Sequence, residues 1–334
     1  FYRSTTPHFA MDFTPQPNGL YTYFDEKLSE YFAMDSNFIV VDSFKAENGY
    51  QTDGHEFRFL PNGNYVMLAL SVEEINMRNI VSYGDSKATL ISSIIQEFDA
   101  DKNLVFEWRT IDHFKITDAT YEFLGFSLID FVHSNSIDLD RDGSFLLSSR
   151  NMDEITKIDR ETGDILWRWG GNNNEFKLLN DSVRFSHQHS VRRLPNGNIM
   201  MFDNGNFHLT RIPFSRAVEY SLDEINKTAT KVWEFRHSPD LYSASMGSVQ
   251  RLDNGNTFIG WGACDDVAIT EVRPDGSTAL EIGMKEGNYS YRAYKFTKEQ
   301  TKANVQAGSP GQTSHLDQNY PNPVQQTTSI PFSI

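Results

Sequence analysis

Hydrophobic and polar residues alternate through HEFRFLPNGNYVMLAL, which starts at His55, and the alternation breaks only at Leu-Pro-Asn-Gly-Asn. A period of two marks half-buried strands, and Asn-Gly between two such runs is the strongest short-range hairpin signal. The phrase returns as NSIDLDRDGSFLLSSR from Asn135, as HSVRRLPNGNIMMFDNGN from His189 and as GSVQRLDNGNTFIGWG from Gly247, with a worn copy around Asn18-Gly19. Each copy predicts a hairpin closed by a type I′ turn, whose two central residues both need positive φ. EITKIDRETGDILWRWGG, residues 154–171, adds a second hairpin whose last strand carries Trp; LVFEWRT (104–110) and KVWEFRH (231–237) repeat that closing strand. Four antiparallel strands repeated radially describe an all-β fold, a β-propeller of four-stranded blades. A two-sheet sandwich also contains many short strands, but it gives no reason to repeat a Trp strand. The interval between the first two clear copies is the longest, and VEEINMRNIVSYGDSKATLIS (72–92) is the insertion that fills it.

Composition fits one large repetitive domain. Hydrophobic residues make up 39% of the 334, enough apolar surface to build a core, so wholesale disorder is excluded. A formal charge of -15 repels a phosphate backbone, which argues against a nucleic-acid partner. No run approaches the roughly 18 apolar residues of a membrane span. The chain opens on Phe1 without an initiator Met, which reads as a fragment trimmed at its front. The single cysteine, Cys264, has no partner for an intramolecular disulfide, and no CxxC pair is present. The domain reading is a propeller over 1–297, a polar linker rich in Gln, Gly, Ser and Ala over 298–314, and the start of a further small β domain over 315–334.

Aligned on their turns, the copies put His55, Asn135, His189 and Gly247 in one register, where each opens the first strand of its blade. First strands of a propeller lie innermost, so these residues converge on one mouth of the axial channel. Alternation along the strand adds His133 to the side of Asn135, and the returning second strands add Arg150 and Asn204. His187 stands two residues before His189 and reads as a rim residue. An Arg in this group repels a divalent cation and no HExxH spacing occurs, so a metal site is not expected. Arg, Asn and His together suit a tetrahedral oxyanion, and an imidazole can itself be a nucleophile. The chemistry this points to is transfer of an anionic group through a covalent histidine. DLDRDG (138–143) opens like a calcium loop but has Ser149 where the twelfth-position Glu belongs, so it reads as a blade hairpin. No P-loop or GxGxxG follows a strand, which leaves a nucleotide donor without a cradle and no cofactor in view.

HSNSIDLDRDGSFLLSSRNMDEITKIDRETGDILWRWGG followed by FSHQHSVRRLPNGNIMMFDNGN resembles the bacterial arylsulfotransferases, six-bladed propellers that move sulfate between phenols without a nucleotide donor. The likeness spans roughly residues 10–295, with the H-x-N, S-S-R, Q-H and F-D-N-G elements in the family's order. The resemblance implies that His189 becomes sulfated, that His133, Asn135 and Arg150 bind the sulfuryl group, and that His55 is a further active-site histidine. It also implies a hydroxyl residue from a late blade, for which YSASMGS offers Ser245 or Ser248. The partners implied are an aryl sulfate donor and a phenolic acceptor. DRETGDILWRW also resembles the repeat of quinoprotein propellers, where Trp strands dock neighbouring blades; here Trp167 and Trp169 read as packing. A non-catalytic binding propeller and a quinoprotein-like dehydrogenase are the alternative functions. LDQNYPNPVQQTTSIPFSI resembles the beginning of the C-terminal sorting domain by which Bacteroidetes-type bacteria export proteins through the type IX system. That likeness implies a partner in the secretion machinery and a secreted, surface or periplasmic location.

Overall fold

The computed structural model describes residues 10–208, 210, 212–285 and 288–296, together with the backbone of a short strand pair, 315–316 with 332–333. The linker over 298–314 and all but that pair of the 315–334 segment lie outside the described residues, as do the first nine.

Five antiparallel sheets follow one another along the chain. The first contains β1 (Ala10–Pro15), β2 (Tyr21–Asp25), β3 (Glu30–Met34) and β4 (Val40–Phe44). The second contains β5 (Gln51–Phe59), β6 (Tyr65–Ile75), β7 (Ala88–Phe98) and β8 (Leu104–Arg109), with β9 (Leu128–Asp130) added in parallel beside β7. The third contains β10 (Ser134–Leu139), β11 (Phe145–Ser149), β12 (Glu154–Ile158) and β13 (Ile165–Gly170). In the fourth, β14 (Lys177–Leu179) lies parallel against the outer strand of β15 (His189–Arg193), β16 (Ile199–Asp203), β17 (Arg216–Asp223) and β18 (Thr228–Phe235). The fifth contains β19 (Ser248–Arg251), β20 (Thr257–Gly260), β21 (Ile269–Val272) and β22 (Thr278–Ile282).

The inner strands β1, β5, β10, β15 and β19 pack each on the next, which makes the architecture a propeller and not a sandwich. Five blades are present among the described residues where six were expected. Between the fifth blade and the first runs the extended segment 288–296. Ala293 N–H donates to Ser248 Oγ at 2.9 Å, Lys295 N–H to Gln250 Oε1 at 2.8 Å, and Arg292 reaches Asp12 of β1 at 2.9 Å. The 72–92 insertion is a lengthening of the β6–β7 hairpin, which makes both strands eleven residues long.

The core is divided into slabs between consecutive blades. Phe24, Tyr31, Phe57 and Tyr65 fill the first interface, Leu68, Ile95, Phe145 and Leu147 the second, Trp167, Trp169, Val191 and Tyr220 the third, and Phe202, Val249 and Trp261 the fourth. The repeated Trp strand has its reason here. Trp108 Nε1–H donates to the carbonyl of Gly163 in the next blade at 2.9 Å, and Trp167 Nε1–H to Glu224 at 2.9 Å in the blade after that. A buried indole offers a large apolar area but needs a partner for its N–H, and the neighbouring blade supplies one.

The hairpin turns correct the type I′ expectation. In Leu60-Pro61-Asn62-Gly63-Asn64 only Gly63 has positive φ (+89°), and the same holds for Gly143, Gly197 and Gly255. Pro61 and Pro195 fix φ near −65°, which a type I′ turn forbids at that position, so the chain makes a type I turn followed by a left-handed glycine. The Asn or Asp before the glycine earns its place through its side chain: Oδ1 of Asn62, Asp142, Asn196 and Asn254 each accepts the amide two residues on. In DLDRDG, Asp140 is bonded to Arg193, and Asp142 pairs with Lys157 at 2.7 Å, as blade-hairpin residues.

Candidate active site

Three inner strands lose ladder register at the same place. The irregularity lies between Thr52 and Phe57 in β5, between Ser134 and Ser136 in β10, and between His189 and Arg192 in β15. His55 and Asn135 sit inside two of these bulges, and His189 opens the third. A bulge turns a side chain away from the face that alternation assigns it, so these residues leave the sheet plane at one level of the axis. His133 stands just before β10 with φ of +49°, outside the ladder, so strand alternation does not set its direction.

His189 is 2% exposed. Its Nδ1 lies 2.7 Å from Oδ1 of Asn204, whose Nδ2 donates to the carbonyls of Ser243 at 2.8 Å and Met246 at 3.0 Å. Those two carbonyls fix the amide's orientation, which makes Oδ1 the acceptor and puts the imidazole proton on Nδ1. Nε2 then carries a free lone pair. Burial, reinforced by the Arg150 guanidinium and the rings of His133 and His55, holds the imidazole well below its ordinary range, so it is neutral.

The other two histidines are each tied to a carboxylate. His55 Nδ1 lies 2.5 Å from Asp53, His133 Nδ1 lies 2.6 Å from Asp130, and the two rings meet edge to face at 4.9 Å. Burial alone would lower His55, but the charge and hydrogen bond of Asp53 outweigh it and the ring is raised above its ordinary value. Asp53 shifts reciprocally: burial pushes it up, and the His55 pair brings it below the usual carboxylate range. One site therefore combines an imidazole with a free nitrogen, whose protonation is disfavoured, and an imidazole whose protonation its carboxylate favours.

Arg150 donates from one terminal nitrogen to Asn151 at 2.8 Å and from the other to the carbonyl of Ala244 at 3.2 Å, which leaves further N–H groups of its fork for an anion. Asn135 donates one amide N–H to the carbonyl of Gln188 at 2.7 Å and has a second available; its buried Oδ1 has no partner. The six residues read from the sequence are thus gathered around the axis, though Asn204 has its side chain committed to His189 and two carbonyls. Ser248 Oγ accepts from Ala293 N–H and donates to the carbonyl of Ala293 at 3.0 Å, so its hydroxyl ties segment 288–296 to the fifth blade.

Several residues at the site escaped the sequence reading. Asp53 and Asp130 precede their histidines by two and three positions, a spacing that is legible only once a bulge or turn is known. Asp153 holds His187 Nδ1 at 2.9 Å. Tyr291 donates its hydroxyl to the carbonyl of His55 at 3.1 Å, and Arg292 donates to the carbonyl of Asn135 at 2.6 Å while pairing with Asp12 and with Glu56. Both lie in a segment with no repeat signature. Among the described residues, no three His, Cys, Asp or Glu side chains converge as metal ligands.

The family model described as Arylsulfotransferase (ASST) matches residues 1–303. The chain is similar to the arylsulfate sulfotransferase AssT of Escherichia coli O6:H1 (strain CFT073), 25% identical over 222 residues, which cover 56% of this chain. That match spans 35% of the relative's own length. Among solved structures, a protein of unknown function from Bacteroides caccae superposes with a TM-score of 0.55 at 14% identity, covering 86% of this chain and 87% of the other. At that identity the likeness concerns the fold.

Proposed function

Because the chain belongs to the arylsulfotransferase family, we propose that it moves a sulfuryl group from an aryl sulfate to a phenol in two half-reactions, with His189 as the carrier. The observation that carries this reading is the commitment of His189 Nδ1 to Asn204, which frees Nε2 on a buried, neutral ring beside Arg150. In the first half-reaction the Nε2 lone pair attacks sulfur, an N–S bond forms and the S–O bond to the aryl oxygen breaks. The electron pair leaves on the phenoxide, which takes the Nε2 proton of the His55 imidazolium. In the second, the acceptor phenol returns a proton to His55 as its oxygen attacks sulfur, and the N–S pair returns to His189.

Arg150, His133 and the second amide N–H of Asn135 serve the three sulfuryl oxygens, where charge is spread in a loose transition state like that of phosphoryl transfer. Asn204 is a positioning residue for His189, in place of the substrate-binding role read from the sequence. Two carboxylates, Asp53 and Asp130, set the tautomers of the histidines they hold, as they do in other imidazole sites. The likeness of the 315–334 segment to a sorting domain supports export from a bacterial cytoplasm, and deleting that segment is expected to retain the protein in cells that otherwise release it.

Nitrophenyl sulfate incubated with the chain and no nucleotide tests the activity. Release of nitrophenol that rises with added phenol, with parallel double-reciprocal lines, is expected. Tight binding of the aryl sulfate without any release would favour a binding propeller, and release indifferent to phenol would mean hydrolysis.

A further inference from the structure

At the mouth that holds the histidines, the rings of Tyr121 and Phe207 stack on each other with centroids 3.7 Å apart and planes 13° from parallel, although 49% and 41% of these residues is exposed. They come from different blades, Tyr121 from the connection between β8 and β9 of the second and Phe207 from the loop between β16 and β17 of the fourth. Both are tied to the same guanidinium by their neighbours in the chain. Thr120 donates from its amide to the carbonyl of Asn151, the residue after Arg150 and the acceptor of one of its N–H groups. Asn206 donates to the carbonyl of Ala244, which also accepts from Arg150. Phe207 covers the buried ring of His187, 4.9 Å away, so the stack stands directly over the site's wall.

An exposed aromatic face beside an anion-binding Arg meets the requirements of a molecule that is both aryl and anionic at one end. The surroundings add a sign. The carboxylates acting on Arg150 include those of Glu122, Asp153 and Asp130, and Glu122 adjoins Tyr121 in the chain. Once a sulfuryl group occupies the guanidinium, a further negative charge on the ring is repelled by Glu122, whereas an ammonium is attracted both by Glu122 and by the ring faces.

We infer that the Tyr121–Phe207 stack is the platform on which the substrate's aromatic ring rests, and that Glu122 beside it favours phenols whose substituent is neutral or cationic over those bearing a carboxylate. The assignment rests on the sulfotransfer reading of the same site for the identity of the ligand.

Calorimetric titration of the whole chain carrying His189→Ala, which cannot form the N–S bond, tests it without turnover. Naphthyl sulfate, inorganic sulfate, tyramine and hydroxyphenylpropanoate are the probes, and Phe207→Ala, Tyr121→Ala and Glu122→Gln the variants. Losing either ring is expected to weaken naphthyl sulfate about tenfold, the order of one aromatic contact, with inorganic sulfate unchanged. With saturating inorganic sulfate on the guanidinium, tyramine is expected to bind more tightly than hydroxyphenylpropanoate, with the gap narrowed in Glu122→Gln. Unchanged naphthyl sulfate affinity in both ring variants, or equal weakening of inorganic sulfate, overturns the platform, and a preference for hydroxyphenylpropanoate overturns the selection by charge. Covalent labelling of the chain with His189 intact by nitrophenyl sulfate separates the two readings. Binding that behaves as expected without labelling leaves the platform and removes the sulfotransfer reading; labelling with unaltered binding in the ring variants does the reverse.

Discussion

An imidazole attacks only through a nitrogen that is neither protonated nor engaged, and at His189 that condition depends on Asn204. Asn204→Leu removes the acceptor for the Nδ1 proton and is expected to slow labelling by about 10- to 100-fold, the usual cost of losing such a support. Asn204→Asp restores an acceptor and adds a charge that favours the imidazolium. The depressed His189 value then rises, and the acid-side decline of the labelling rate moves to higher pH, which a pH–rate profile reads directly. Arg150→Lys keeps the charge but loses the fork, and a fall in turnover of about 10²- to 10³-fold is expected. His55 is raised above its ordinary value, so its acid form is complete at low pH and is lost as pH rises through the folded value. With the sulfate of a basic phenol, the labelling rate is expected to decline on the alkaline side, and His55→Ala is expected to abolish that dependence while sparing nitrophenyl sulfate, whose phenoxide leaves unprotonated. Equal loss of both donors in His55→Ala would remove the acid role. His55, His189 and Arg150 were legible in the sequence because the hairpin repeat supplies a register. Asp53 and Asp130 were not, since a carboxylate near a histidine means little until the backbone between them is known to turn.

At the scale of the element, each repeat is a hairpin whose turn is set by three side-chain facts: a residue compatible with φ near −65°, an Asx side chain that accepts an amide, and a glycine with left-handed φ. A Cβ at Gly63 would meet nothing within 4 Å, so Gly63→Ala isolates the backbone cost. A loss of about 1–2 kcal/mol is expected, seen as a lowered denaturation midpoint with unchanged transfer activity. No loss of stability would mean that the turn relaxes to another type. Hairpin positions and Trp strands were readable from alternation and turn residues, which are local. The bulges in β5, β10 and β15 were not, because one extra residue in a ladder becomes visible only against the partner strand. Strand alternation likewise does not place His133 with Asn135, since His133 stands outside the ladder with positive φ. His133 lies beside His55 through a left-handed residue and Asp130.

For the whole molecule, segment 288–296 links the fifth blade to the first and the rim to the axis. Arg292, 2% exposed at its side chain, pairs with Asp12 and Glu56, which are equally buried, and holds the carbonyl of Asn135. Arg292→Met leaves buried Asp12 without its cation and Glu56 with Arg192 alone, and a loss of about 3–5 kcal/mol is expected, with transfer falling in the folded fraction as Asn135 loses its anchor. Chemical denaturation followed by the specific activity of folded protein checks both parts; unaltered stability would mean that Arg192 alone suffices for Glu56. The six-blade expectation came from the family likeness, whereas the repeat itself is visible in five copies, one of them worn, and the same number of sheets is described. In the proposed reaction His189 carries the sulfuryl group between two phenols. Peptide mapping by mass spectrometry after incubation with nitrophenyl sulfate, in the absence of acceptor, tests it most directly. A single added sulfuryl group is expected on the peptide containing His189, discharged when phenol is added and missing from His189→Ala. A sulfuryl group on any other residue, or nitrophenol release with no protein-bound sulfuryl group at all, would contradict it.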